Sequence, residues 1–126
     1  MVRFSHLVAA ASSASLASAV NLFVTSYSGN VTTLSLTGSG WIRNLNATYK
    51  ANVCGGGNST WLTFDSAARV LYCIDEGWTT PTGAITASSV TKDGQLNQTL
   101  KVPTLGGPVS GVFYGNGSTR GYVVAH

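Results

Sequence analysis

The chain has 126 residues, of which only 9% are charged, and its formal net charge at pH 7 is +3. Globular proteins usually carry about 25% charged residues, so Ser, Thr, Asn and Gly must cover much of this surface. The few basic residues are scattered along the chain, which excludes the basic patches typical of nucleic-acid-binding and membrane-surface proteins.

The first 19 residues have the three parts of a secretory signal peptide. Arg3 supplies the basic n-region, an apolar run rich in Ala and Ser follows it, and Ala17-Ser18-Ala19 has the small-residue cleavage pattern. The apolar run is too short and too often interrupted by Ser to span a bilayer; a buried N-terminal helix is the alternative. We therefore expect a secreted, extracellular protein that begins near Val20 and has no membrane span after signal removal.

The remaining chain shows strand-like alternation and turn chemistry, without helical periodicity. Short runs rich in Val, Thr, Tyr and Leu alternate with turns such as Ser28-Gly29, Lys92-Asp93-Gly94 and Gly106-Gly107-Pro108. The pattern predicts an all-β protein. The predicted strands are residues 21–27, 30–36, 42–52, 61–64, 70–75, 84–91, 96–104, 109–114 and 121–126.

These strands recur with a period near 50 residues. Residues 22–26, 71–75 and 122–126 align at offsets of 49 and 51, and the strands ending at Phe64 and Tyr114 align at an offset of 50. Four short strands per period are typical of a β-propeller blade. The alternative is a two-sheet β-sandwich of about 100 residues, although a sandwich has no reason to repeat a unit at a fixed interval.

The repeat predicts where the blades lie. We expect blade 1 at about residues 20–53, blade 2 at about 58–104 and the start of blade 3 at about 108–126. About two and a third blades cannot close a ring, which needs at least four. The expected architecture is therefore an incomplete β-propeller, either the N-terminal fragment of a longer protein or a truncated gene product.

Cys54 and Cys73 are the only cysteines. In an oxidising compartment such a pair most simply forms one disulfide; two free buried thiols are the alternative. No histidines stand nearby to complete a zinc site, and we expect no metal and no other cofactor.

Five of the eight asparagines begin an Asn-x-Ser/Thr sequon. This excess favours N-linked glycans added in a eukaryotic secretory pathway, with about two or three sites occupied. Coincidence in a Thr-rich β protein is the alternative. The sequons begin at Asn30, Asn46, Asn58, Asn97 and Asn116.

The stretch STWLTFDSAARVLYCIDEG, residues 59–77, resembles the lactonase seven-bladed β-propeller family. That family includes 6-phosphogluconolactonase-like proteins and the fungal 3-carboxy-cis,cis-muconate lactonising enzyme, or carboxymuconate cyclase. The resemblance covers the chain after residue 19, which should correspond to the first third of a family member. It is closest to the secreted fungal branch, whose pattern is matched by Cys54, Trp61, Leu62, Asp65, Leu71, Tyr72 and Cys73.

The resemblance implies a lactone hydrolase or a muconate cycloisomerase that acts on a small anionic substrate. Such a reaction needs a group to move a proton and cations or donors to hold the anion. In a propeller, the loops after second strands and before first strands open on one face. Glu76 and His126 are the candidate catalytic residues on that face; a solvated loop carboxylate is the alternative for Glu76.

No cation is expected beside these two residues. Arg43 and Lys50 fall on an outermost strand, Lys92 at a peripheral turn, and Arg69 and Arg120 at turns on the opposite face. The anion-binding residues are therefore expected in blades outside this sequence, and the fragment itself is expected to be inactive.

Family members share a scaffold while differing in chemistry. The other function class is a non-catalytic secreted glycoprotein that uses the propeller as a scaffold or ligand-binding surface. A fragment that never folds is the third option. Trp61 could stack on a sugar, but packing between blades is the expected role.

Overall fold

The structure is a computed structural model that describes residues 19–39, 42–116 and 120–126. Most of the predicted signal peptide and the end of the sequon that begins at Asn116 lie outside these residues. The described residues form β1 (Val20–Thr25), β2 (Asn30–Ser39), β3 (Ile42–Asn52), β4 (Ser59–Asp65), β5 (Val70–Asp75), β6 (Ala84–Val90), β7 (Leu96–Pro103), β8 (Ser110–Tyr114) and β9 (Gly121–Ala125). The predicted all-β class is confirmed.

The strands form three antiparallel sheets, each built from consecutive strands. The first sheet has the order β1-β2-β3, the second β4-β5-β6-β7 and the third β8-β9. Strand β1 packs against β4, and β4 packs against β8. Each sheet is thus a meander whose first strands face the next sheet, as in the blades of a propeller.

The β4–β5 hairpin shows how the sequence builds these meanders. Oδ1 of Asp65 accepts hydrogen bonds from the backbone N–H groups of Ala67 and Ala68, both at 3.1 Å, which is the Asx-turn chemistry expected of Asp in a turn. Arg69 closes the turn with a φ of +53°, and its Nε donates to the carbonyl of Val90 at 3.0 Å. The turn is therefore anchored to β6.

The main core lies between the first and second sheets. It contains the buried side chains of Val31, Val53, Leu71, Val90 and Leu96, together with the two cysteines. Cys54 and Cys73 form a disulfide with their Cα atoms 5.3 Å apart, so the alternative of two free thiols is wrong. The disulfide joins the β3–β4 connection to the middle of β5.

An aromatic cluster packs the second sheet against the third. The ring centroids of Tyr72, Phe113 and Tyr122 are 5.0 to 5.2 Å apart, within the range of favourable aromatic pairs. The Tyr122 hydroxyl also lies 2.8 Å from Oγ1 of Thr63 on β4.

Trp61 does not occupy the buried position expected for it. Its side chain is 42% exposed, and its Nε1 donates to Oγ1 of Thr63 two residues along the same strand. It borders a groove of about 260 Å³ lined by Val112 and Val123 of the third sheet. The two-stranded third sheet covers only part of the indole.

Candidate functional site

The ends of several strands meet on one face of the molecule. Strands β1, β5 and β9 end there, and β4 and β8 begin there, because neighbouring strands are antiparallel. We call the connecting residues 26–29, 53–58, 75–83 and 104–109, together with residue 126, the loop face. The sequence predicted this grouping, since each segment follows the second strand of a predicted blade or precedes the first strand of one.

Hydrogen bonds join these segments to one another. Cys54 N–H donates to the carbonyl of Gly29 at 3.2 Å, and Glu76 N–H donates to that of Asn58 at 3.0 Å. Gly107 N–H then donates to the carbonyl of Glu76 at 2.8 Å. The loop face is therefore a connected layer of backbone, and two aromatic side chains project from it, Tyr27 and Trp78, which are 62% and 75% exposed.

Asp75 organises the centre of this layer. Its side chain is buried, and its Oδ1 accepts hydrogen bonds from the backbone N–H groups of Asn58 at 3.2 Å and Gly77 at 3.0 Å. A Cβ atom at Gly56 would lie 2.5 Å from its Oδ2. Glycine at position 56 therefore lets the 53–58 connection approach the carboxylate, and Asp75 holds the loops in place.

Glu76 is buried as well, with 6% of its surface exposed. The alternative of a solvated loop carboxylate is therefore wrong. Among the described residues, its Oε2 is fully buried and has no hydrogen-bond partner. A buried polar atom without a partner costs free energy, and a catalytic role is one of the explanations for such an atom in a native structure. The catalytic role itself stays a prediction.

His126 lies at the end of β9 and is exposed. Its Nδ1 is 3.1 Å from the carbonyl oxygen of Gly106. Because a carbonyl oxygen can only accept, Nδ1 must carry the proton, and Nε2 is the nitrogen left to accept one. Gly106 thus holds His126 while its neighbour Gly107 holds the backbone of Glu76, so one loop positions both candidate residues.

Lys101 is the residue that the sequence interpretation missed. It lies on β7 opposite Thr86, and its Nζ donates to the carbonyl of Gly55 at 2.7 Å. It borders a cleft of about 350 Å³ beside Asp75 and Thr80. A cation therefore does reach the loop face, from an outermost strand that the sequence alone marks only as peripheral.

The other basic residues that the structure describes lie where the sequence placed them. Arg69 and Arg120 are at the opposite end of the strands, where Nη1 of Arg120 lies 2.6 Å from Oδ2 of Asp65. Within the described ranges, the loop face contains no arginine. The same part of the chain contains no cluster of three His, Cys, Asp or Glu side chains able to bind a metal ion.

No membrane-spanning helix, by length and hydropathy, occurs among the residues that the structure describes. Secretion and occupancy of the sequons stay predictions.

Separate antiparallel meanders, packed side by side with their strand ends converging on one loop face, define a protein built from β-propeller blades. The family model described as "Lactonase, 7-bladed beta-propeller" matches residues 19–125. The chain therefore belongs to the lactonase seven-bladed β-propeller family, and the resemblance inferred from residues 59–77 is confirmed. Searches of curated proteins and of solved structures found no match.

Proposed function

We propose that the chain contributes the loop face of a secreted lactonase-type propeller that acts on a small anionic lactone or muconate-type substrate. The observation that carries this proposal is the buried Oε2 of Glu76, which has no partner among the described residues and belongs to a loop layer that also holds His126. Family membership supports the reaction class, since proton transfer beside a carboxylate is common to both candidate reactions.

The two reactions make the same demand on these residues. In lactone hydrolysis, a base takes a proton from water, the oxygen attacks the ring carbonyl, the ring C–O bond breaks, and the leaving oxygen takes a proton. In muconate cyclisation, a substrate carboxylate adds to a C=C bond and the adjacent carbon takes a proton. We assign proton transfer to the Glu76 carboxyl, and the second proton-transfer position to Nε2 of His126.

The anion-binding half of such a site is incomplete in the described residues. Lys101 supplies one cation, and Gly55 and Gly56 line the same cleft. A substrate with one or two carboxylates, or a phosphate, is usually held by more than one positive group. The chain by itself is therefore expected to bind such an anion weakly and to be inactive.

A non-catalytic secreted glycoprotein is the second candidate, and a specific observation favours it. Lys101 already donates to Gly55, and Asp75 already accepts from two backbone N–H groups. Both charged groups of the cleft thus have structural partners. In this function, the loop face serves as a rigid surface for a ligand and performs no chemistry.

Binding and turnover separate the two candidates. Titration of the purified chain with cis,cis-muconate and with 6-phosphogluconate, followed by tryptophan fluorescence and calorimetry, should show binding that Lys101→Met weakens. Asp93→Asn, at an exposed turn on the opposite end, is the matched control. Turnover is measured on the longest product of the reading frame as loss of diene absorbance or as acid release from lactones.

For turnover, Glu76→Gln should lower kcat by about 100-fold or more, since general acid–base catalysis contributes roughly that much. If the longest product turns over these substrates and Glu76→Gln leaves kcat unchanged, the assignment of Glu76 is wrong. If it binds the anions without turning any over, the non-catalytic candidate is correct.

A further inference from the structure

Two sequons occupy the same place in two different sheets. Asn46 lies on β3 and Asn97 on β7, the outermost strand of the first and second sheets respectively. They are 51 positions apart, the period of the repeat.

The register shows that the threonine of each sequon is the extra residue of a β-bulge. In the first sheet Thr33 pairs with Tyr49 and the next residue of β2 pairs with Ala47, which leaves Thr48 without a partner in the ladder. The second sheet repeats the shift at Thr99, which falls between the pairs Ala87↔Leu100 and Ser88↔Gln98. Bulges of this kind locally turn an edge strand and end its regular pairing.

The hydroxyl groups of the two threonines make equivalent hydrogen bonds. Oγ1 of Thr48 donates to the carbonyl of Thr33 at 3.3 Å, and Oγ1 of Thr99 donates to the carbonyl of Ala87 at 3.1 Å. The asparagines two residues earlier are both exposed. Each sequon therefore presents its asparagine to solvent while its threonine stabilises the bulge.

The sequons at Asn30 and Asn58 are built differently. Both asparagines are half-buried and lie on the loop face or at its border. Nδ2 of Asn30 donates to Oγ of Ser28 at 2.8 Å. In the other sequon Ser59 is buried, and Oγ1 of Thr60 donates to the carbonyl of Pro108 at 3.4 Å. Side chains of both sequons thus already take part in the packing of the loops.

The outer strands β3 and β7 expose unpaired backbone groups and apolar side chains. An edge strand has unpaired backbone groups that can pair with another chain, and natural proteins protect such edges with charge and bulges. Lys50 and Lys101 lie at equivalent positions of β3 and β7, again 51 residues apart. Yet Leu45 and Leu100 on the same strands are 53% and 54% exposed.

We propose that, of the four sequons that the structure describes in full, those at Asn46 and Asn97 carry glycans, and that these glycans cover the outer edges of the first two sheets. The modification transfers an oligosaccharide from a lipid-linked pyrophosphate donor. A C–N bond forms between the sugar and Nδ2, the sugar–pyrophosphate C–O bond breaks, and Nδ2 loses a proton. The inference rests on the proposed entry into the secretory pathway and is independent of any catalytic role.

Glycopeptide mass spectrometry tests the choice of sites. The full chain is expressed in a eukaryotic host behind an established secretion leader, so that failure of the native signal peptide does not affect the result. In the secreted protein, occupancy at Asn46 and Asn97 should be several-fold higher than at Asn30 and Asn58. Unoccupied Asn46 and Asn97, or equal occupancy at the other two sites, would overturn the proposal. If the chain is retained in the cell, glycan occupancy is measured on the retained protein, and the same criteria apply to Asn46 and Asn97.

Paired variants test the role of the glycans. Asn46→Gln with Asn97→Gln removes the glycans and keeps both threonine hydrogen bonds, whereas Asn30→Gln with Asn58→Gln is the matched control. The Asn46→Gln/Asn97→Gln variant should aggregate several-fold faster than the control variant, as measured by light scattering. Native enzymatic removal of glycans from the unsubstituted protein should have the same effect without any substitution. Equal aggregation in all samples would show that the glycans do not cover the edges.

Discussion

Arg120 reaches Asp65 across the boundary between the second and third sheets. Its Nη1 is 2.6 Å from Oδ2 of Asp65, and its guanidinium carbon lies 4.2 Å from the centroid of the Phe113 ring. Asp65 is only 7% exposed while Arg120 is 38% exposed, so a nearly buried carboxylate is neutralised by a partly solvated cation. The contact joins a turn of one sheet to the connection that precedes the last strand of the next.

Arg120→Met should therefore destabilise the protein. The substitution leaves the Asp65 carboxylate buried without its cation and removes the cation–π contact. Solvent screening at Arg120 limits the loss, so we expect the free energy of unfolding to fall by about 1 to 2 kcal/mol. Urea unfolding measures it, and Arg43→Met on exposed β3 is the control. A loss equal to that of the control would show that the ion pair contributes nothing.

The two functions of Asp65 can be separated. Asp65→Asn keeps an oxygen that accepts from the turn N–H groups and removes the charge. Because it leaves no unpaired buried carboxylate and keeps the cation–π contact of Arg120, it should cost less than Arg120→Met. Asp65→Ala removes the turn hydrogen bonds as well and should cost about 1 kcal/mol more. If the two Asp65 variants are equally stable, the Asx turn does not stabilise the hairpin.

Loss of the Cys54–Cys73 disulfide should lower the free energy of unfolding. The bond spans 19 residues of sequence, for which the chain-entropy model gives about 3 kcal/mol. Cys54 and Cys73 are both buried in the core, so replacing them by Ala also removes packed side-chain atoms. We therefore compare the double Ala variant with the reduced parent protein, which keeps both side chains and lacks only the bond. Both should lose a similar free energy of unfolding. Alkylation of both thiols in the denatured, unreduced protein would show that the bond is absent.

Most of the fold could be predicted from local pattern. Alternation fixed the positions of the nine described strands, and turn residues such as Asp65 and Gly94 marked where the chain reverses. The repeat near 50 residues then identified corresponding strands in different sheets. These features are local or periodic, so they are visible without knowledge of three-dimensional contacts.

The candidate site was less predictable because it depends on contacts between distant residues. The sequence placed Glu76 on the correct face, but it did not show that the side chain is buried or that Gly107, 31 residues away, donates to its backbone carbonyl. Lys101 reaches Gly55 only because of the register of β7, which is set by the bulge at Thr99. Trp61 was misjudged because its exposure depends on how much of β4 the next sheet covers.

Two adjacent glycines provide a test of the loop face. A Cβ at Gly56 would lie 2.5 Å from Oδ2 of Asp75, whereas one at Gly57 would have an ordinary contact of 3.6 Å with the carbonyl of Tyr27. Gly56→Ala should therefore displace the carboxylate and cost about 1 to 3 kcal/mol. Gly57→Ala should be nearly neutral. Thermal unfolding of both variants checks this, and equal melting temperatures would mean that Asp75 can move at no cost.

Stability should fall at high pH because of Tyr122. Burial raises the pKa of its hydroxyl; the hydrogen bond with Thr63 opposes the shift and the nearby Tyr72 adds to it. The unfolded group has a pKa of about 10, so the folded state binds this proton more tightly than the unfolded state. The resulting stability is fully present below about pH 10 and is lost as the pH rises through the higher, folded pKa.

Tyr122→Phe removes this titration and should also lower stability at neutral pH, because the hydrogen bond with Thr63 is lost. Its free energy of unfolding should then fall less steeply above about pH 10 than that of the parent. Urea unfolding on both sides of that pH gives the two slopes, and a tyrosinate absorbance titration should lose its late-titrating component. Tyr27→Phe, which removes an exposed hydroxyl of the loop face, is the control substitution. Parallel slopes for the parent and Tyr122→Phe would show that Tyr122 titrates alike in both states.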